Sequence, residues 1–242
     1  MLLYLHKFMD KERKIMKSLR KIFDNELTLG SDKWEPYFEI YEKHFNKFIG
    51  KKPIVVEVGV QGGGSIQMWK KYFGEGSKII GIDVDPKVMA HVPYYENGIE
   101  IEIGDQGNPN FWDNFLSRNP KIDVFIDDGG HMMHQQKITF AKVFPYISED
   151  GVFLCEDTHT CYDTNPVCEA GLYNPNNFLE FSKRMADILH YEFIDDSEKN
   201  RIDPIMKNLC RGLKSISFYN SIVVFEKDKE QEYKRVFAQR KV

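Results

Sequence analysis

The sequence predicts an α/β protein: a doubly wound, Rossmann-like, mostly parallel sheet of seven strands with an antiparallel hairpin at its C-terminal edge. Three observations predict it. Short β-branched runs alternate with helical stretches between residues 53 and 156, which implies right-handed crossovers and a sheet covered on both faces. The runs end at glycine or at a carboxylate, as strands do where they meet a ligand-binding edge. Near the end, two apolar runs flank Tyr219-Asn220, the pattern of a hairpin.

The elements follow in order. Residues 1 to 24 carry Leu5, Phe8, Met9, Ile15, Met16, Leu19, Ile22 and Phe23 at helical spacing, with a face of Lys and Arg opposite. Gly30-Ser31-Asp32-Lys33 reads as a loop, and Phe38, Tyr41, Phe45 and Phe48 as a helix face. Strands are expected at Pro53–Gly59, Lys78–Asp83, Ile99–Ile103, Asp123–Asp128 and Gly151–Glu156. Helices are expected at Ser65–Phe73, from Asp85-Pro86 onward, at Phe111–Arg118 and at Gln135–Phe144. Leu213–Phe218 and Ser221–Phe225 form the closing hairpin. Residues 158 to 212 read as an insertion over the strand ends, helical around Phe178–Leu189. The expected organisation is an N-terminal amphipathic helix over 1–27, the main domain over 28–226, and a charged tail over 227–242.

The composition of the 242 residues is that of a soluble globular protein, with 42% hydrophobic and 29% charged residues. Aromatic residues at 14% exclude disorder as the dominant state. No run approaches the ~20 apolar residues of a membrane helix, and the apolar start is too short for a secretory h-region. A net charge of −4 carries no polycation signature for nucleic acid. The four cysteines, Cys155, Cys161, Cys168 and Cys210, show no C-x-x-C spacing and read as free thiols, which points to the cytoplasm.

Two sets of strand ends carry chemistry. The first strand ends Glu57-Val58-Gly59-Val60-Gln61-Gly62-Gly63-Gly64-Ser65. A dinucleotide fingerprint would need glycine at 61, where Gln61 stands. An acidic residue with a glycine-rich turn but no pyrophosphate pattern suits a ligand without phosphate and with a charged amino-acid end, such as S-adenosylmethionine. Asp83, 24 residues after Gly59, is placed to accept hydrogen bonds from ribose hydroxyls, and Gly104-Asp105-Gln106 falls beside the expected adenine. The expected cofactor residues are therefore Glu57, Gly59, Gly62, Gly64, Ser65, Asp83, Asp105 and Gln106.

The fourth strand ends Asp127-Asp128-Gly129-Gly130-His131 and the fifth Glu156-Asp157-Thr158-His159. Neighbouring strand ends lie ~5 Å apart. Asp128, Glu156 and Asp157 would then converge, and three close carboxylates call for a cation. An all-oxygen set favours Mg²⁺ or another hard divalent ion. His131 is placed to take a proton from a hydroxyl whose pKa the ion lowers. Asp127 reads as a turn-capping residue, and His134 and His159 as weaker candidates for the base.

These residues resemble the class I S-adenosylmethionine-dependent methyltransferases. They look most like the metal-dependent sugar O-methyltransferases of the macrocin and mycinamicin type, with their cephalosporin-hydroxylase-like and rhamnosyl O-methyltransferase relatives. The resemblance covers roughly residues 28 to 226. Gly30–Lys33 is similar to a Gly-Thr-Asp-Lys element of such proteins, and Val56–Ser65, Gly81–Pro86 and Gly104–Gln106 are similar to their cofactor loop, ribose strand end and adenine-side turn. Asp128-Gly129-Gly130-His131 resembles their Asp-Gly-Ser-His, with Gly130 replacing the serine, and Glu156-Asp157 their paired acidic ligands. Phe218–Val224 resembles their closing hairpin. The resemblance implies an O-methyltransferase acting on a sugar or sugar-containing small molecule: a nucleotide sugar, a capsule precursor or a glycosylated natural product. An apolar N-terminal stripe adds an expected homodimer. Two alternatives are a non-haem-iron oxygenase using His131, His159 and Asp128, and a non-catalytic S-adenosylmethionine-binding protein.

Overall fold

A computed structural model describes residues 18–165, 168–202, 206–207, 211–229 and 234–238. The expected basic face over residues 7–17 and the thiol of Cys210 lie outside the described residues. The seven strands belong to one mixed sheet flanked by helices. The chain divides into two compact units, Met1–Ile103 and Gly104–Val242.

The first unit holds α1 (Leu19–Asn25), α2 (Tyr37–Phe45), β1 (Ile54–Val58), α3 (Gly64–Phe73), β2 (Lys78–Asp83) and β3 (Ile99–Ile103). Its strands run parallel in the order β3-β2-β1, with Val56 opposite Ile80 and Ile80 opposite Glu100. β1 is buried throughout except at its first residue, with Glu57 the one charged side chain among four β-branched ones, as befits a parallel strand covered on both faces. An aromatic cluster joins α2 to α3: the Tyr41 and Trp69 rings meet edge to face at 5.1 Å, and Phe45 lies 5.8 Å from Trp69. The helix expected after Asp85-Pro86 is instead a 3₁₀ stretch, Pro86–Tyr94. Pro93 inside it lacks an N–H and clashes with an α-helical turn, so the tighter form prevails.

The second unit holds α4 (Pro109–Arg118), β4 (Ile122–Asp127), α5 (Met133–Val143), β5 (Ile147–Cys155), α6 (Phe178–Leu189), α7 (Asp196–Lys199), β6 (Leu213–Tyr219) and β7 (Ile222–Lys227). Its strand order is β4-β5-β7-β6. β4 and β5 are parallel, while β7 is antiparallel to both β5 and β6. Phe125 and Phe153, partners across β4 and β5, stack at 4.9 Å, and Phe140 of α5 meets Phe225 of β7 at 4.5 Å. Each fully buried ring of this kind contributes roughly 1.5–3 kcal/mol. β5 begins at Ile147 rather than at Gly151, with an irregular register near Ile122. Cys155, Cys161 and Cys168 are free thiols.

Candidate functional site: a glycine loop and a carboxylate–histidine cluster

In the first unit, β1 runs into a loop with positive φ at Gly59 (96°), Gln61 (44°) and Gly63 (83°). α3 opens from this loop at Gly63 with no side chain capping it, so its first turn favours a negatively charged group. Asp83, at the end of β2, binds the loop from below. Its Oδ2 accepts from the N–H groups of Val60 (2.9 Å) and Gln61 (3.0 Å), and its Oδ1 from that of Asp85 (2.9 Å). Three backbone donors thus fix this carboxylate before any ligand hydroxyl reaches it. Beside it the apolar side chain of Val84 is 67% exposed.

Gly62 and Gly64 have a reason to be glycine that the local sequence did not show. A Cβ at Gly62 would stand 2.5 Å from the Gly30 carbonyl oxygen, and one at Gly64 would stand 2.6 Å from that of Leu29. The N–H of Gly64 donates to the Gly30 oxygen at 2.9 Å. The loop is therefore seamed to the segment carrying Gly30–Lys33. Glu57 is fully buried; the Ser65 hydroxyl donates to its Oε2 at 2.8 Å, and the buried Lys33 Nζ lies 3.8 Å from its Oε1. Glu57 and Ser65 thus shape the loop from behind. Lys33 was not among the expected site residues, because nothing local pairs positions 33 and 57. The Tyr95 hydroxyl occupies the space where a Gly63 Cβ would go, 2.6 Å away. Burial, with a smaller push from Glu57, raises that phenol above its ordinary value.

In the second unit, Asp105 Oδ1 accepts from the Gly107 N–H at 2.7 Å, closing a local turn. Gln106 turns inward. Its Nε2 donates to Asp127 Oδ1 (2.9 Å) and Thr139 Oγ1 (3.1 Å), and its Oε1 accepts from the Gly130 N–H (2.7 Å). Both amide hydrogens are used inside the protein, so Gln106 supports the turn after β4 with the side chain that was expected to face the cofactor.

That turn carries the cluster. The parallel register sets Asp127 beside Cys155, and the Glu156 N–H donates to the Asp127 oxygen at 2.9 Å. Asp128, His131 and Asp157 each offer a donor atom, all within 4.8 Å of one another, and Asp128 and Glu156 also approach within that distance. His131 Nε2 lies 3.5 Å from Asp157 Oδ2 and 4.0 Å from Asp128 Oδ1. His131 (φ 54°) and Asp157 (φ 52°) both adopt left-handed backbone, which costs of order 1–3 kcal/mol each and is concentrated at functional sites. Carboxylates converging with an imidazole fit a divalent cation, because without one their charges repel. The Nδ1 of His131 is enclosed with no hydrogen-bond partner among the described residues.

Gly130, the departure from Asp-Gly-Ser-His, leaves room for Gln135: a Cβ there would lie 2.4 Å from Gln135 Oε1, which accepts from the Met132 N–H at 3.4 Å. His134 is exposed near Gly107. His159 turns its Nδ1 to the Ser221 hydroxyl, with Asp157 Oδ1 3.9 Å away. The trio of the oxygenase alternative thus has one imidazole directed to the hairpin.

Asp127 is buried, and desolvation pushes its carboxyl up to about 6 against the Gln106 hydrogen bond. Because the folded value lies above the unfolded one, ionisation within the fold costs stability. That cost is absent below about pH 4 and grows as pH rises through about 6. Asp127→Asn removes the titration. Measured by urea unfolding in EDTA, the stability of the variant relative to the parent is expected to rise by about 2 kcal/mol between pH 4.5 and 7.5. A difference that is flat with pH would show that Asp127 does not ionise at this cost.

No family model matches the chain. It is 35% identical over 200 residues to mycinamicin VI 2''-O-methyltransferase of Micromonospora griseorubida, covering 79% of this chain and 48% of that protein. It is 33% identical over 176 residues to 8-demethyl-8-alpha-L-rhamnosyl tetracenomycin-C 2'-O-methyltransferase of Streptomyces olivaceus, covering 68% and 44%. Among solved structures it is similar to the MycE methyltransferase of the mycinamycin biosynthetic pathway in complex with Mg, SAH and mycinamycin VI. There the TM-score is 0.72 at 25% identity, over 90% of this chain and 54% of that one. The chain spans about half the length of the curated relatives it matches. The fold is that of the class I methyltransferases. Within that class, the proteins this chain is homologous to are sugar O-methyltransferases of the macrocin and mycinamicin type.

Proposed function

We propose that the chain is an S-adenosylmethionine-dependent, divalent-metal-dependent O-methyltransferase acting on a hydroxyl of a sugar-containing small molecule. The observation that carries this reading is the convergence of Asp128, His131 and Asp157, with Glu156 beside Asp128, at the ends of two adjacent parallel strands. When bound, S-adenosylmethionine supplies an electrophilic methyl group, and a divalent ion such as Mg²⁺ lowers the pKa of a coordinated hydroxyl. Asp128, Glu156 and Asp157 hold the ion. His131 Nε2, directed toward the same carboxylates, takes the hydroxyl proton as the oxygen becomes nucleophilic. The Gly59–Gly64 loop, backed by Glu57, Ser65 and Asp83, seats the cofactor, and Asp105 and Gln106 hold the turn on its adenine side. Orientation of the two reactants supplies much of the rate. The reading extends to a cytoplasmic homodimer, a setting that suits the buried thiols of Cys155 and Cys161.

The test is methyl transfer from labelled S-adenosylmethionine to a panel of nucleotide sugars and glycosylated macrolides with Mg²⁺ present. Turnover is expected on at least one glycoside, with loss in excess EDTA and recovery when Mg²⁺ is restored. Turnover that survives EDTA would remove the metal from the reaction. Calorimetry without a heat of S-adenosylmethionine binding would defeat the reading as a whole.

A further inference from the structure

The second unit contains a cavity of about 440 Å³, within the range that holds small ligands. Its walls include the rings of Tyr162, Phe218 and Tyr219 and the polar groups of His159, Lys183 and Asn220. Tyr162 is 52% and Phe218 47% exposed, so two large rings stand open to water at its rim. Apolar ring faces beside hydrogen-bonding groups match a sugar, which presents a C–H face and a fringe of hydroxyls.

One wall is the tip of the β6–β7 hairpin, and it is tied to the end of β5 at two points. The Ser221 hydroxyl meets His159 Nδ1, and the Thr158 N–H donates to the Ser221 carbonyl at 3.0 Å. Ser221 itself holds a positive φ of 67° to make this turn. The imidazole of His159 is thereby fixed at the cavity wall, 3.9 Å from Asp157 Oδ1 at the margin of the carboxylate cluster.

From this geometry we infer that the cavity seats the acceptor sugar, and that His159, clamped by Ser221, is a positioning residue that hydrogen-bonds the sugar. The inference rests on the methyl-transfer reading and adds to it: the edge hairpin is part of the acceptor site, beyond the 158–212 insertion.

The experiment uses the full chain with Mg²⁺ and SAH, and methyl α-L-rhamnopyranoside as the probe, titrated by ligand-observed NMR. His159→Ala, Phe218→Ala and His159→Asn are compared with the parent, the last keeping a polar group for Ser221 while losing the ring. All three are expected to raise the sugar Kd about tenfold, one hydrogen bond's or one ring contact's worth, with the SAH Kd and melting temperature unchanged. Parental sugar affinity in His159→Asn would reduce His159 to a hairpin clamp and overturn its role. A parent that binds SAH but not the sugar, or full sugar affinity in Phe218→Ala, would overturn the cavity assignment. A parent that fails to bind SAH would instead sink the methyltransferase reading, so the two failures are distinct.

Discussion

His131→Ala is expected to lower methyl transfer by about 10²–10⁴, the usual contribution of a positioned general base, while the calorimetric Kd for SAH stays within twofold. The expectation follows from where the ring is held. A strand end places Asp127, two glycines make the turn, and the Gly130 N–H is anchored to Gln106 Oε1 at 2.7 Å. The chain then enters left-handed backbone at His131, φ 54°, which aims Nε2 at Asp157 and Asp128. No other described histidine stands in that trio of donors. Alanine removes the ring but is also poorer than histidine or asparagine at positive φ. His131→Asn therefore separates chemistry from backbone: it tolerates the turn and cannot accept the proton. Both variants are expected to fall together. Recovery of the alanine variant at high Mg²⁺ would make His131 a metal ligand rather than the base, and full activity in either variant would remove it from the reaction.

The strand ends that carry this chemistry were legible in the sequence because each is local. Ile54–Val58 and Ile122–Asp127 are short, mainly β-branched or aromatic runs, and the polar residues that follow them must lie at the sheet edge. The hairpin around Tyr219-Asn220 was legible for the same reason. Pairings across the chain were not. Lys33 meets Glu57, and His159 meets Ser221, across spans that no local period records. Gln106 was placed on the ligand side by its position after a strand, yet its amide is turned inward by Asp127, Thr139 and the Gly130 N–H. The glycine run was read as a turn that a ligand approaches; at two positions the deciding factor is a second backbone segment that only the fold brings near.

That second segment makes Gly62→Ala and Gly64→Ala damaging substitutions despite their small size. Each adds one methyl group, and each methyl would meet a backbone carbonyl: 2.5 Å to Gly30 O from position 62, and 2.6 Å to Leu29 O and 2.8 Å to Gly30 O from position 64. A flexible side chain could swing aside, but this segment is pinned. Gln67 Oε1 accepts from the N–H groups of Thr28 (3.0 Å) and Leu29 (3.1 Å), and Gly30 is bonded to Gly64. The strain must therefore pass into the loop itself, where Val60 and Gln61 are held by Asp83. Overpacking of this kind costs typically 1–3 kcal/mol, and the loop it distorts is the one proposed to seat the cofactor. Each variant is expected to lose about that much stability in urea and to bind SAH at least tenfold more weakly. Gly30→Ala is the control on the other side of the same seam: nothing lies within 4 Å of its added methyl and its φ is not positive, so it should stay near the ±0.5 kcal/mol of a neutral change. Parental melting and parental SAH affinity in Gly62→Ala and Gly64→Ala would mean that the loop yields freely. The seam between Leu29-Gly30 and the Gly62–Gly64 run would then not be what requires glycine there.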